Sequence, residues 1–69
     1  MKVTYDRSFA GEEWTEYWQL GGLVVSWESD ADTIVLQRTK TPLLRRKPAS
    51  AKKMHYLIKK IWQAKRFVT

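Results

Sequence analysis

Two glycine-containing turns, at Gly11-Glu12 and Gly21-Gly22, divide the first half of the chain into stretches in which large apolar and polar residues alternate. Gly at the first central position suits a two-residue type II′ hairpin, so we expect the chain to fold back at Gly11. The resulting register pairs compatible side chains across the hairpin. The pairs on one face are Phe9 with Trp14, Arg7 with Glu16, Tyr5 with Trp18, and Val3 with Leu20.

The Gly21-Gly22 turn can supply the two positive φ angles of a type I′ hairpin, and a third turn is predicted at Asp30-Ala31. These turns pair Leu20 with Leu23, Trp18 with Val25, Trp27 with Ile34, and Val25 with Leu36. The three registers are independent, yet they place one apolar set on a single face, which a one-residue slip would expose. The set is Val3, Tyr5, Phe9, Trp14, Trp18, Leu20, Leu23, Val25, Trp27, Ile34 and Leu36; the opposite face is expected to be mostly solvated.

A competing interpretation makes residues 9–20 a helix, with Trp14 and Trp18 one turn apart and Gly21 as its C-terminal stop. The strand interpretation is preferred because a helix would leave the cross-strand complementarity as a coincidence.

After Thr39 the sequence predicts a loop followed by a helix in place of further strands. Pro42 and Pro48 disfavour helix in the residues before them and cannot donate to a sheet ladder, which predicts a loop. Ser50 is a suitable N-cap for a helix that follows. At 100° per residue this helix has an apolar stripe, with Trp62 at its border, that is predicted to face the sheet. The stripe consists of Met54, Leu57, Ile58, Ile61, Ala64 and Val68.

Together these patterns predict an α+β fold. It comprises a four-stranded antiparallel meander, with strands at about 2–9, 13–20, 23–29 and 32–39, and one C-terminal amphipathic helix at about 50–67 packed on the aromatic face. The 69 residues make one small domain, with the sheet in 1–40, a basic Pro-containing loop in 41–49 and the helix in 50–67. A core of this size gives modest stability, which a homodimer would supplement.

Composition excludes several classes of protein. The chain has no Cys, so neither a disulfide framework nor a thiolate zinc site can form, and no cofactor or metal is expected. It has no leader-like segment and no apolar run approaching 18 residues. We therefore expect no membrane span and a cytoplasmic location.

Charge is segregated along the chain. Residues 1–32 contain all seven acidic residues and only two basic ones, whereas residues 33–69 contain eleven Lys and Arg and no acid. Segregation on this scale indicates an acidic partner or a self-complementary assembly.

The sequence contains few residues that could form a catalytic site, and no enzymatic activity is expected. His55 is the only His, and no neighbouring residues complete a site around it, so it is interpreted as a surface residue. The register places Arg7 and Glu16 on the apolar face between aromatic pairs. An active role is conceivable, but the preferred interpretation is that Arg7 stacks on Trp14 or Trp18, pairs with Glu16 and leans toward the edge.

The basic C-terminal half predicts a non-enzymatic nucleic-acid-binding protein of low sequence specificity. Phosphate contacts release condensed counterions, and aromatic rings among the cations could stack on unpaired bases. The predicted partner is DNA or RNA. Its phosphate backbone is expected to contact the basic loop and the outward helix face. The predicted binding residues are Arg45, Arg46, Lys47, Lys52, Lys53, Tyr56, Lys59, Lys60 and Arg66.

Three other interpretations of the basic C-terminal half stay open. The first is a small protein-binding regulator or inhibitor, of the kind a phage or other mobile element encodes, that docks its basic helix on an acidic protein surface. The second is a helix lying on anionic lipid, which is disfavoured because the sheet needs the same apolar residues for cover. The third is a solvated helix face without any partner.

Overall fold

The computed structural model describes residues 2–29, 32–40 and 47–69. They form a six-stranded sheet and one helix. In chain order the elements are β1 (Val3–Ala10), β2 (Glu13–Leu20), β3 (Leu23–Glu28), β4 (Thr33–Arg38), β5 (Lys47–Pro48), α1 (Ala51–Gln63) and β6 (Arg66–Val68). The order across the sheet is β5-β1-β2-β3-β4-β6, so the predicted antiparallel meander lies in its centre.

The predicted registers of the meander are confirmed. All four pairs proposed across the first hairpin occur between β1 and β2. Leu20 pairs with Leu23 and Trp18 with Val25 across the second hairpin, and Val25 pairs with Leu36 between β3 and β4. The competing helix over residues 9–20 is therefore wrong. The third turn, Asp30-Ala31, lies outside the described residues.

The two glycine turns use one left-handed residue each. Gly11 has φ of 66° and Gly21 has φ of 59°, and no described non-glycine residue has a positive φ. This agrees with the type II′ geometry predicted at Gly11-Glu12. The type I′ turn predicted at Gly21-Gly22 is wrong, because Gly22 does not adopt a positive φ.

The predicted count of four strands is wrong because a short strand is added at each edge of the meander. On one side β5 pairs antiparallel with β1, placing Lys47 opposite Tyr5 and Pro48 opposite Thr4. The sequence predicts a loop for these residues because Pro cannot donate to a ladder. An edge strand tolerates Pro since one side of it needs no partner.

On the other side β6 pairs in parallel with β4, and the helix ends earlier than predicted. The helix stops at Gln63 rather than near residue 67, and Ala64 is already extended, with φ of −64° and ψ of 137°. The amide of Lys65 then donates to the Asp32 carbonyl at 2.9 Å, which directs the chain along β4. Phe67 and Val68 belong to residue types that favour strands.

The core lies between the meander and α1. Trp18, Val25, Trp27, Ile34 and Leu57 form its buried cluster. The rings of Trp18 and Trp27 stack with centroids 5.9 Å apart. Phe9, which sequence analysis placed on this face, is 66% exposed, since it lies at the hairpin tip. The opposite face is less solvated than predicted: Val24 and Ser26, on the central strand β3, are buried.

The helix packs on the predicted face of the sheet, but it is rotated relative to the prediction. Leu57 is buried as expected, whereas Ile58 and Ile61 of the predicted inward stripe are exposed. Tyr56 and Lys60, predicted to face outward, contact the sheet instead: Tyr56 packs its ring near Trp18 and Trp27, and Lys60 holds its ammonium 5.7 Å from the Trp27 ring centroid. Long amphipathic side chains can cover aromatic surface while keeping their polar ends accessible.

Candidate functional site

A buried carboxylate lies where the first hairpin meets the helix. Glu16 is only 2% exposed. Its Oε2 accepts a 2.6 Å hydrogen bond from the Tyr5 hydroxyl, and its Oε1 accepts from the Tyr56 hydroxyl at 3.0 Å and from Trp14 Nε1 at 3.3 Å. Arg7 Nη2 lies 3.7 Å from Oε2. Such a group is tolerated inside a protein because its charge is paired and its oxygens are hydrogen-bonded.

The surroundings of Glu16 keep it ionised. Burial acts to raise its pKa, but the hydrogen bonds from Tyr5, Tyr56 and Trp14 and the charge of Arg7 outweigh burial and lower the pKa. Burial, together with the bond to Glu16, raises the pKa of Tyr5 from 10.0 to about 12. The same two causes raise the pKa of Tyr56. Both phenols therefore remain hydrogen-bond donors to the carboxylate at neutral pH.

Arg7 bridges this buried cluster and the solvent. Its Nε donates to the Tyr5 hydroxyl at 3.1 Å, and its guanidinium carbon lies 5.4 Å from the Trp14 ring centroid and 5.9 Å from that of Phe9. Its side chain is 37% exposed. The predicted arrangement, with Arg7 stacked on Trp14, paired with Glu16 and leaning to the edge, is confirmed.

Arg7, Trp14 and Glu16 form one wall of a cleft of about 420 Å³ between the first hairpin and the N-terminal half of α1. The opposite wall comes from the helix. Lys53 holds its ammonium 4.4 Å from the Tyr5 ring centroid, and Lys52 is exposed at the mouth. Three cations and one carboxylate thus line the cleft, which gives it a net positive charge. Its lining residues are Arg7, Trp14, Glu16, Lys52, Lys53 and Tyr56.

The wall that includes Lys52 and Lys53 lies at the capped N-terminus of α1. Ser50 adopts an extended backbone and its hydroxyl accepts a 3.2 Å hydrogen bond from the Lys53 amide, so the predicted cap is confirmed. No acidic residue occurs in the first helical turn, so Lys52 and Lys53 are not neutralised from their own helix. The partial positive charge of the helix N-terminus adds to theirs.

The cleft is suited to binding an anion that carries a flat apolar group. Its cations can contact phosphate oxygens, and the Trp14 ring offers a stacking surface. Glu16 is poorly suited to proton transfer, because a general acid or base needs a pKa near the working pH and that of Glu16 is lowered. Among residues 2–29, 32–40 and 47–69, no three His, Cys, Asp or Glu side chains converge as metal ligands.

The structure brings together only part of the predicted binding set. Lys52, Lys53 and Tyr56 line the cleft, and Lys47 lies opposite Tyr5 on β5. Tyr56 contributes its hydroxyl to Glu16 and is not a free outward ring. Arg45 and Arg46 lie outside the described residues.

The remaining predicted cations lie elsewhere. Lys59 is exposed, on the side of α1 away from the sheet, and Lys60 packs over Trp27. Arg66 is on β6, at the opposite edge of the sheet from Lys47. The prediction that Arg66 lies on the outward helix face beside Lys52 and Lys59 is therefore wrong, because the helix has ended three residues earlier.

Arg7, Trp14 and Glu16 are absent from the predicted binding set, although the predicted register places Arg7 opposite Glu16. Tyr56 is in that set, but its hydrogen bond to Glu16, forty positions away, could not be predicted from the sequence.

No family model, curated protein or solved structure matches the chain. Within the described part of the chain, no helix is long and apolar enough to cross a membrane.

Proposed function

We propose that this chain is a non-enzymatic, cytoplasmic nucleic-acid-binding domain of low sequence specificity. The observation that carries the proposal is the cleft, in which Arg7, Lys52 and Lys53 converge from two separate parts of the fold beside the partly exposed Trp14 ring. Several cations that line one cleft can contact neighbouring phosphates of a nucleic-acid backbone, which supports the proposal.

Phosphate groups contact the cations around the cleft mouth. Lys47, opposite Tyr5 on β5, extends the positive surface along the β5 edge, and Arg45 and Arg46 precede it directly in the chain. Lysines supply point charge, whereas Arg7 offers a planar guanidinium already oriented by its ion pair with Glu16. Each phosphate contact strengthens binding at low salt and steepens its loss at high salt.

Trp14 provides the second element of recognition. Its ring forms part of the cleft lining, and its indole N–H is fixed on Glu16, which orients the ring plane. An unpaired base can stack on such a ring, whereas a paired base in a duplex cannot. We infer that single strands bind more tightly than duplexes.

Low specificity is expected from the side chains available. Adenine is read most often by Asn or Gln through two hydrogen bonds, but the chain has no Asn and only three Gln, none of which lines the cleft.

A salt titration of binding to labelled single-stranded and duplex oligonucleotides, read by fluorescence anisotropy, tests the proposal. Lys52→Met with Lys53→Met removes two charges but keeps the aliphatic stems. For single strands the slope of log affinity against log salt should fall by about 1.4 if both lysines contact phosphates. The matched control, Arg38→Met with Lys40→Met, removes the same charge from exposed positions at the end of β4.

The control pair should retain most of the slope. Absence of binding at low salt, or an affinity indifferent to salt, would refute nucleic-acid binding. Equal losses in the two double variants would show that net charge acts without the cleft.

Docking on an acidic protein surface is the second candidate, favoured by the exposed Lys52 and Lys59 on a helix that contains no acid. A stoichiometric protein that is captured from nuclease-treated lysate by the native chain, but not by Lys59→Glu, would support it.

A further inference from the structure

Phe9 leaves most of its ring in solvent at the tip of the first hairpin. It is 66% exposed, whereas the other aromatic side chains that β1, β2 and β3 place on the same face are buried or partly buried, namely Tyr5, Trp14, Trp18 and Trp27. A single exposed apolar side chain is common and needs no explanation. Phe9 is different because a guanidinium and a second aromatic ring lie beside it.

Three planar groups meet at this tip. Phe9 pairs with Trp14 across the hairpin, and their ring centroids are 6.3 Å apart with the planes tilted by 51°. The guanidinium carbon of Arg7 lies 5.9 Å from the Phe9 centroid and 5.4 Å from the Trp14 centroid, within the range of a cation–π contact. A positive charge therefore lies against both rings, and Tyr5 and Glu16 hold it from the side of the cleft.

We propose that Phe9, Arg7 and Trp14 form a platform for two consecutive unpaired nucleotides of one strand. One base stacks on Trp14 in the cleft, the next base stacks on Phe9 at the hairpin tip, and Arg7 contacts the phosphate that joins them. This inference rests on the proposed nucleic-acid binding and extends it, because it adds a second base-binding position outside the cleft.

The distance between the two rings favours an extended single strand. Successive bases in one strand of a duplex are about 3.4 Å apart along the helix axis. Rings whose centroids are 6.3 Å apart, with tilted planes, cannot both lie against bases that are stacked on each other in that way. Each ring can instead take one base from a strand whose bases are drawn apart. The platform therefore selects nucleotides that are neither paired nor stacked on their neighbours.

Arg7 is suited to the phosphate between the two bases. A guanidinium carries five N–H donors in one plane. In Arg7 the Nε donates to the Tyr5 hydroxyl, and Nη2 lies 3.7 Å from the Glu16 carboxylate. The side chain is 37% exposed, so a phosphate can approach it from solvent. Lys52 and Lys53, which line the adjoining cleft, can contact the next phosphates along the strand.

Strands that carry a controlled number of bases test the platform. Three labelled strands, each of about ten nucleotides, contain abasic tetrahydrofuran sites throughout, one thymine among such sites, or two adjacent thymines. The number of phosphates is the same in all three. Fluorescence anisotropy at low salt measures the affinity of each strand. For the native chain the first and the second thymine should each strengthen binding by about fivefold or more.

Phe9→Leu removes the aromatic ring but keeps an apolar side chain at the hairpin tip. In this variant the second thymine should strengthen binding by less than about twofold, whereas the first should act as in the native chain because Trp14 is intact. The salt dependence of binding to the abasic strand should not change, since no cation has been removed. Phe9→Trp keeps an aromatic ring and should retain the effect of both thymines.

The matched control is Phe67→Leu, which makes the same change on β6, at the far edge of the sheet, where the side chain is 51% exposed. It should bind all three strands like the native chain. Far-ultraviolet circular dichroism checks that each variant is folded, which is expected because both Phe side chains are largely in solvent.

If the second thymine strengthens binding equally in the native chain and in Phe9→Leu, the platform is overturned while the proposed function stands. Loss of the effect of both thymines in Phe9→Leu would also overturn it, because Phe9 would then act only by holding Trp14 in position. If the native chain binds none of the three strands at low salt, nucleic-acid binding itself is refuted, and the platform with it.

Discussion

The Tyr56 hydroxyl donates a 3.0 Å hydrogen bond to the Glu16 carboxylate and thereby fixes the rotation of α1 on the sheet. The Tyr56 ring also lies 5.8 Å from the Trp27 ring and 6.3 Å from the Trp18 ring. With Tyr56 held on this side, Ile58 has to point to the opposite flank. The bond to the buried carboxylate, together with the buried Leu57, thus goes with a Tyr56 that lines the cleft and an Ile58 that is exposed on the other flank.

Glu16→Gln is expected to destabilise the protein by about 2 to 4 kcal/mol. The amide cannot pair with Arg7, and its NH₂ group would face the donors Tyr5, Tyr56 or Trp14. Chemical unfolding in urea, followed by tryptophan fluorescence, measures the change.

The control for this variant is Glu12→Gln, which makes the same chemical change at the exposed hairpin tip and should alter stability by no more than about 0.5 kcal/mol. Equal effects of Glu12→Gln and Glu16→Gln would contradict the role assigned to the buried carboxylate.

Stability should fall at both ends of the pH range. A carboxyl whose pKa is lowered on folding stabilises the protein above its unfolded pKa, so the Glu16 contribution is lost as pH falls below about 4.5. A phenol whose pKa is raised on folding has the opposite sign. The contribution of Tyr5 is complete below pH 10.0 and disappears as pH rises toward about 12.

Urea unfolding at a series of alkaline pH values measures the Tyr5 contribution. Tyr5→Phe is expected to be less stable than the native chain at pH 8 and to lose less stability between pH 10 and pH 12. Parallel pH profiles of the two proteins would show that Tyr5 does not carry the alkaline transition.

Trp14→Ala should weaken binding to single strands by about 1 to 3 kcal/mol and leave duplex binding nearly unchanged, because only unpaired bases can stack. Trp62→Ala removes an equally large ring from the opposite flank of the helix and is the matched control. If Trp62→Ala reduces single-strand affinity as much as Trp14→Ala does, base stacking is not located in the cleft.

Ser50→Ala should cost about 1 kcal/mol of stability, because the Lys53 amide loses its 3.2 Å acceptor at the start of α1. Ser8→Ala, at an exposed position of β1, provides the comparison and should be close to neutral. Thermal unfolding of both variants measures the change in stability. If Ser50→Ala is as stable as the native chain, the cap contributes nothing to stability.

The register of the meander could be predicted because each pairing is determined locally. Gly11 and Gly21 define where the chain reverses, and period-two alternation then assigns every side chain to a face. Strands β5 and β6 could not be predicted in this way. They have two and three residues, which is too short for any periodicity, and their partners are distant in sequence.

The helix packs on the predicted face of the sheet, but the predicted rotation about its axis is wrong for a physical reason. Hydrophobic periodicity treats Ile58 and Ile61 as better core residues than Tyr56 or Lys60. The sheet, however, presents tryptophan rings and a carboxylate, which hydrogen-bonding and cationic side chains cover well. Lys52 and Lys53 could be predicted from charge alone, whereas their convergence with Arg7 depends on that rotation.

The two outermost strands have a consequence for the way the domain assembles. The meander β1–β4 has two edges, and each is partly covered by a segment synthesised later: β5 pairs with Thr4 and Tyr5 of β1, and β6 pairs with residues 33–35 of β4. Hairpins formed early would expose unpaired backbone until the helix brings these segments into place. Unfolding and refolding should therefore be all-or-none, with no hairpin persisting after the helix detaches.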